Sequence, residues 1–346
     1  MKAITFRPFT LNKISYILLV MLVLFACKKI QSNGGEPFVF ENPIGFPEPV
    51  YTFTNNPLSY NRFGLGRDLF YSKELSSDGS ISCGSCHDQA HAFADHNAAF
   101  SAGVNGTLGT RSSPVIFNLA WQPHFMWDGG VNHLEIFSFA PITNPLEMNE
   151  TMENVIQKLN DSEQWKSKFK KAYGIDVITD QAMFRAIAQY LAMIVSDDTK
   201  YDKVRRGETT FTVTEQAGYE LFQSKCASCH QEPLLTDYTF RNNGLTNVFS
   251  DLGRETITQD PNDRGKFKVP TLRNVEITYP YMHDGSLYSL EDVLDHYSEG
   301  VVNSATLDPQ LTGGIPLTQD EKSSIIQFLK TLTDYTMMGN TLYSEQ

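Results

Sequence analysis

Positive charge is scarce in this chain. Its 346 residues include 28 lysines and arginines against 40 aspartates and glutamates, a formal net charge of −12. That balance argues against nucleic acid as a partner and offers anionic lipid no basic face. Long apolar runs are as scarce. The run at residues 14–26 has thirteen residues, too few to cross a bilayer as a helix. It follows Lys2, Arg7 and Lys13 and ends at Cys27, which is the layout of a cleaved signal peptide. Leu24-Phe25-Ala26-Cys27 resembles the bacterial lipobox, whose cysteine is lipidated and then becomes N-terminal. Residues 1–26 therefore read as a lipoprotein signal peptide and residues 27–50, rich in Gly, Pro and polar residues, as a tether to the membrane. Period-two alternation is confined to short pieces near 267–276, so no large sheet is expected. Hydrophobic residues at 41% and charged residues at 20% still describe a globular chain, long enough for two domains.

Cysteine is rare too, at five residues. Lipid accounts for Cys27. The other four form two CxxC pairs, each followed at once by histidine: C-G-S-C-H at 83–87 and C-A-S-C-H at 226–230. None remains for a disulfide. The pattern is that of c-type haem attachment. Two thiols at this spacing add across the two vinyl groups of one haem, and the following imidazole lies under the iron as its proximal ligand. A four-cysteine zinc site leaves both histidines unexplained, and a thioredoxin-like pair expects a βαβ context that is missing. Cys83, Cys86 and His87 are thus assigned to one haem, and Cys226, Cys229 and His230 to another. Such chemistry needs reduced thiols and haem outside the cytoplasm, which agrees with the signal peptide and a periplasmic location.

The segments leading into the motifs read as helical, at 62–71 (RFGLGRDLFY) and 214–222 (TEQAGYELF), with Thr214 as N-cap of the second. Further helices are expected at 151–159, 162–173, 180–195, 289–298 and 318–333. The last, opened by Thr318, places Ile325, Phe328, Leu329 and Leu332 on one apolar stripe. A linker is expected at 198–212. The fold class is all-α: two cytochrome c-like domains, 51–205 and 206–346, each holding one covalent haem that replaces much of an apolar core.

Four strings carry a wider resemblance: LFYSKELSSDGSISCGSCH (69–87), RSSPVIFNLAWQPHFMWDGG (111–130), PITNPLEM (141–148) and FKVPTLRNVEITYPYMHDGSLYSL (267–290). In that order, with two CxxCH motifs, the sequence from about residue 58 to 333 resembles the bacterial di-haem cytochrome c peroxidase family. It also resembles that family's relative, the di-haem enzyme that matures the tryptophan-derived quinone of methylamine dehydrogenase. The resemblance implies that the first haem is the peroxide site and the second relays electrons. Glu147 in PLEM matches the distal acid–base residue, which takes a proton from hydrogen peroxide and returns it to the leaving oxygen. Trp127 in MWDGG matches the aromatic between the haems. Thr278 and Pro280 match backbone-carbonyl ligands of an interdomain calcium, though Ser112 stands where the family has a side-chain ligand, Asn.

Two other places depart from the pattern. Val104 replaces the loop histidine that caps the first haem in many members; only His91 and His96 are near enough to substitute, and both read as surface residues. Phe137 replaces a distal Gln, which makes the pocket more apolar. For the second haem's distal ligand the family divides between Met and Tyr, and the matching position here is Tyr297, with His296 and Met282 as alternatives. Phenolate favours Fe(III) and lowers the potential, whereas thioether raises it. Three functions follow: a peroxidase taking electrons from a small cytochrome c or cupredoxin, a high-valent di-haem oxidase of a protein or small molecule, and a non-catalytic carrier or sensor.

Overall fold

Helix caps fix where the main elements begin. Ser59 accepts the Arg62 N–H and opens α1 (Tyr60–Tyr71). Thr151, Ser162 and Thr179 do the same for α2 (Met152–Asp161), α3 (Glu163–Tyr173) and α4 (Asp180–Ala192). Further on come α5 (Lys200–Arg205), α6 (Val213–Lys225), α7 (Leu290–Asp295) and α8 (Gln319–Lys330), all four begun by capping boxes. The computed structural model describes residues 38–95 and 98–346. Among them the sheet is a single antiparallel pair, β1 (Phe240–Arg241) with β2 (Phe267–Lys268).

Two helix crossings organise the molecule. In the first, α1 lies across α4, and a Cβ on Gly66 would run into the carbonyl oxygen of Ala186 and approach Tyr190 Cβ at 3.0 Å. In the second, α6 lies across α8, and a Cβ on Gly218 would run into the carbonyl oxygen of Ser324 and approach Phe328 Cβ at 3.0 Å. Only glycine permits backbones this close. Around the first crossing gather Phe63, Leu69, Phe70, Ile187 and Tyr190; around the second, Tyr201, Phe222, Ile325, Phe328 and Leu332.

Polar groups lock each crossing differently. Near α4, buried Gln189 donates to the backbone and side chain of Asn56 at 3.1 and 2.8 Å and to Pro57 O at 2.9 Å. Near α5, fully buried Arg273 holds Asp202 in a two-point ion pair at 2.8 and 2.7 Å and donates to Pro233 O. Its guanidinium lies 4.8 Å over the Phe46 ring and 5.8 Å over Tyr201.

The structure corrects several expectations. The linker at 198–212 contains α5, because Thr199 and Asp202 form a capping box and Tyr201 is fully buried. Thr212, not Thr214, caps α6, since Glu215 stands three residues after it. The helix expected at 289–298 is present but changes character, α as far as Asp295 and a wide π turn over His296–Gly300. The tether is docked from residue 38 onward: Phe38 packs on Phe63, Phe40 and Phe46 pack on Trp121, and the Trp121 indole donates to Pro47 O. Finally, the chain's end leaves the second half. The carbonyls of Leu342 and Tyr343 accept from Arg67, Tyr71 and Tyr190, while those of Met337 and Asn340 accept from Gln89. The signal peptide and Cys27 lie outside the described residues.

Candidate haem sites and the seam between them

Both CxxCH motifs are built alike. Cys83–Cys86 form one helical turn opened by Ser82, with Tyr71 lying so close over Gly84 that a Cβ there would meet its ring at 2.7 Å. Cys226 ends α6 and begins the second motif. All four thiols are free and half-buried. Burial pushes Cys83 up to about 12 and Cys226 up to about 11, so both rest as neutral thiols. His87 Nδ1 bonds the Phe93 carbonyl at 3.1 Å and His230 Nδ1 the Leu235 carbonyl at 3.2 Å. Phe93 and Leu235 both adopt left-handed backbone, φ 58° and 56°, which turns those carbonyls back to the rings. A ring oriented through Nδ1 and kept neutral by burial is the usual form of an imidazole ligand. Paired thiols, an oriented imidazole and a tight turn fit a c-type haem at each motif.

The surroundings of the two motifs differ. At the first, burial raises the pKa of the half-buried Glu147, against the opposing effect of Asn144, whose amide donates to Oε1 at 2.7 Å. Its charge in turn helps to raise the pKa of Cys83 and Cys86, so the carboxyl lies close to that motif. Val104 is buried, and its N–H donates to the Glu147 carbonyl at 2.8 Å, so the loop with no ligating side chain packs directly on PLEM. Phe137 is buried against Phe125, ring centroids 5.2 Å apart. At the second motif, burial raises the pKa of Tyr297, and the thiols of Cys229 and Cys226 are near enough to raise it further. Tyr297 lies within the wide turn after α7, a backbone irregularity common at functional positions.

A seam of polar contacts joins the halves at Trp127. Its indole donates to Ser112 O at 2.8 Å, and its carbonyl accepts from Lys268 N at 2.7 Å. Arg111 binds both Asp251 and Asp128, and Ser112 N donates to His283 O. Thr278 is half-buried and Pro280 buried. For calcium the donor set is thin: Ser112 offers no amide oxygen, and two backbone carbonyls are far short of the roughly six to eight oxygens the ion takes. His91 is paired with Asp88 at 2.6 Å in the turn after the first motif. His96 lies outside the described residues.

Comparison with known proteins now decides the family. The profile of di-haem cytochrome c peroxidases matches residues 60–210. Cytochrome c551 peroxidase of Nitrosomonas europaea is 34% identical over 292 residues, covering 83% of this chain and 83% of that protein. The chain belongs to the di-haem cytochrome c peroxidase family. Methylamine utilization protein MauG of Methylorubrum extorquens is 33% identical over 299 residues, covering 85% of this chain and 83% of its own. The crystal structure of a MauG-like protein associated with microbial copper homeostasis superposes with a TM-score of 0.82 at 31% identity, over 89% of this chain and 99% of that one. The protein is therefore an oxidoreductase of the cytochrome-c peroxidase type, and family membership implies two c-type haems. This sets aside the passive-carrier reading.

Two residues near the seam and the second motif had no signal in the sequence. Lys268 is held at Gln122 Oε1 (2.6 Å) and His124 O (2.9 Å) directly beside the Trp127 backbone, and burial pushes its pKa down to about 7. Asn243 contacts Met282 and both His296 and Tyr297. An isolated Lys or Asn looks like any surface residue until the fold brings its partners together.

Proposed function

We propose that this di-haem peroxidase reduces hydrogen peroxide to water at the Cys83/Cys86/His87 site. The electrons come from a small donor protein, a cytochrome c or cupredoxin, and pass through the Cys226/Cys229/His230 site. The observation that carries this reading is Glu147: a half-buried carboxyl with a raised pKa, beside the first motif's thiols and facing a loop that offers no competing ligand. The haem, when bound, supplies the open coordination position and the electrons. Glu147 moves the proton. As carboxylate it accepts a proton from one peroxide oxygen, and as acid it returns that proton to the other, so that H₂O₂, two electrons and two protons give two waters. The Asn144 amide fixes which carboxyl oxygen is free to do this. Trp127, between segments of both halves, bridges the electron path. The haem modules are 51–205 and 206–334, each cytochrome c-like, with residues 335–346 returning to the first, and lipid on Cys27 holds the protein in the periplasm.

A second reading, oxidation of a protein or small molecule, is favoured by one observation. Tyr297, beside Cys226 and Cys229, would keep the second haem oxidised and make it a store of oxidising equivalents rather than a relay. Calcium has no part in either reading.

The test is Glu147→Gln in the haem-loaded protein. Both haems should remain attached, and peroxide turnover with a reduced cytochrome c should fall by about 10²-fold or more, the scale of acid–base catalysis. Turnover within a few-fold of wild type would remove Glu147 from the mechanism.

A further inference from the structure

Three side chains that bind haem iron in other proteins, Met282, His296 and Tyr297, converge on a single residue, Asn243. Its side-chain Nδ2 donates to Met282 Sδ at 3.1 Å. Its backbone carbonyl pairs with His296 Nε2 at 3.1 Å. Its side-chain amide is also a hydrogen-bond partner of Tyr297.

We propose that Asn243 selects the distal ligand of the second haem, holding His296 and Met282 off the iron and presenting Tyr297. This rests on the reading of that site as a haem site with Tyr297 distal. Each contact has its own consequence. A carbonyl can only accept, so the His296 proton sits on Nε2 and leaves no lone pair there for a metal. His296 Nδ1 is turned the other way: a Cβ on Gly300 would lie 3.4 Å from it. The Met282 sulfur is engaged by an amide N–H. The same amide offers Tyr297 what a phenolate ligand needs, a donor to its charged oxygen.

The selector must also be immobile, and its backbone is pinned on both sides. Asn242 donates to Ser304 Oγ and Thr306 Oγ1 at 3.0 and 2.9 Å, while its own carbonyl accepts from Asp308 N at 3.0 Å. Gly244 accepts from Val302 N at 2.8 Å in a left-handed conformation, φ 73°, where a Cβ would meet Val301 at 2.7 Å. Tyr297 is fixed as well, its carbonyl accepting from Ile315 N at 2.7 Å. Asn243 therefore cannot drift to follow whichever ligand the iron prefers.

The experiment uses the haem-loaded protein and reads ligation rather than turnover. Resonance Raman and EPR should show iron–phenolate features in wild type that vanish in Tyr297→Phe. In Asn243→Leu these features should weaken or disappear in favour of thioether ligation, because the backbone carbonyl that holds His296 remains. The oxidised-to-reduced equilibrium of the second haem should move toward Fe(II) by on the order of a hundredfold. Asn243→Asp keeps the shape and removes the donating amide, so it should act in the same direction if leucine disturbs the packing. Adding Met282→Leu to Asn243→Leu should abolish any thioether signal. If Asn243→Leu and Asn243→Asp keep the wild-type phenolate features and potential while Tyr297→Phe loses them, Asn243 selects nothing and the second-site reading stands. If Tyr297→Phe changes nothing, both the reading and the selection by Asn243 are wrong.

Discussion

The two halves share a skeleton and divide the chemistry. Each has a helix crossing closed by a glycine, Gly66 or Gly218, and each has a histidine held through Nδ1 by a carbonyl from a left-handed residue. The opposite sides of the two sites have nothing in common. One presents the Glu147 carboxyl beside a loop whose nearest side chain, Val104, cannot bind iron. The other presents the Tyr297 phenol among two further potential ligands, all tied to Asn243. The shared parts need backbone geometry, which tolerates little change. The differing parts need one side chain each, so a duplicated frame can hold an open site and a closed one.

The largest break in this comparison should come from Val104→His. It would give the first site a ligand comparable to those the second already has. Wild-type oxidised protein should react at once with one equivalent of peroxide in stopped flow, whereas the variant should stay inert until an electron is supplied. A wild type that also waits for an electron would show that the first site is closed by another group, with His91 or His96 the first to examine.

Next in size is the contrast between the two polar locks. Arg273→Leu strands the buried Asp202 carboxylate and should cost about 3–5 kcal/mol in chemical denaturation. Gln189→Leu strands only neutral groups around Asn56 and should cost about 1–3 kcal/mol. Equal losses would mean that the ion pair carries no special weight.

Acid should separate the halves for the same reason. Burial alone would raise the pKa of Asp202, but the hydrogen bonds and charge of Arg273 outweigh it and hold the carboxyl below its ordinary value of 3.8. A depressed folded pKa stabilises the fold above the unfolded value, and that contribution disappears as pH falls through the folded one. The second half should therefore loosen first on acidification below about pH 4, followed by absorbance of each haem in turn, while the Gln189–Asn56 lock is indifferent to pH.

The smallest effect should be a matched pair. Gly66→Ala and Gly218→Ala each force a methyl group onto a carbonyl oxygen and should each destabilise by about 1–3 kcal/mol, by nearly the same amount. A large inequality would show that one crossing relaxes where the other cannot.

Much of the skeleton was legible in the sequence. The CxxCH motifs were plain, and the apolar stripe of α8 is buried as its spacing predicted. Helix starts were readable where a capping box was recognised, as at Thr318, and missed by two residues where Thr214 was preferred to Thr212. The segment 198–212 looked like a linker because its charges are dense, yet Asp202 has its partner 71 positions away in Arg273. Long-range pairing of this kind leaves no local pattern. Gly66 and Gly218 were equally silent, since a glycine needed for a close crossing looks like any other until its neighbour is known. Residues 38–50 read as tether because three prolines and a glycine interrupt them, while Phe38, Phe40 and Phe46 decide where they go.

The returning tail sets an order of assembly. A chain is made and exported N-terminus first, so the Cys83 motif emerges long before residues 335–346. Yet the carbonyls that satisfy Arg67, Tyr71, Gln89 and Tyr190 around that motif belong to Met337, Asn340, Leu342 and Tyr343. The surroundings of the first motif to appear are thus completed only by residues made much later. Removing residues 335–346 would damage the beginning of the protein rather than its end.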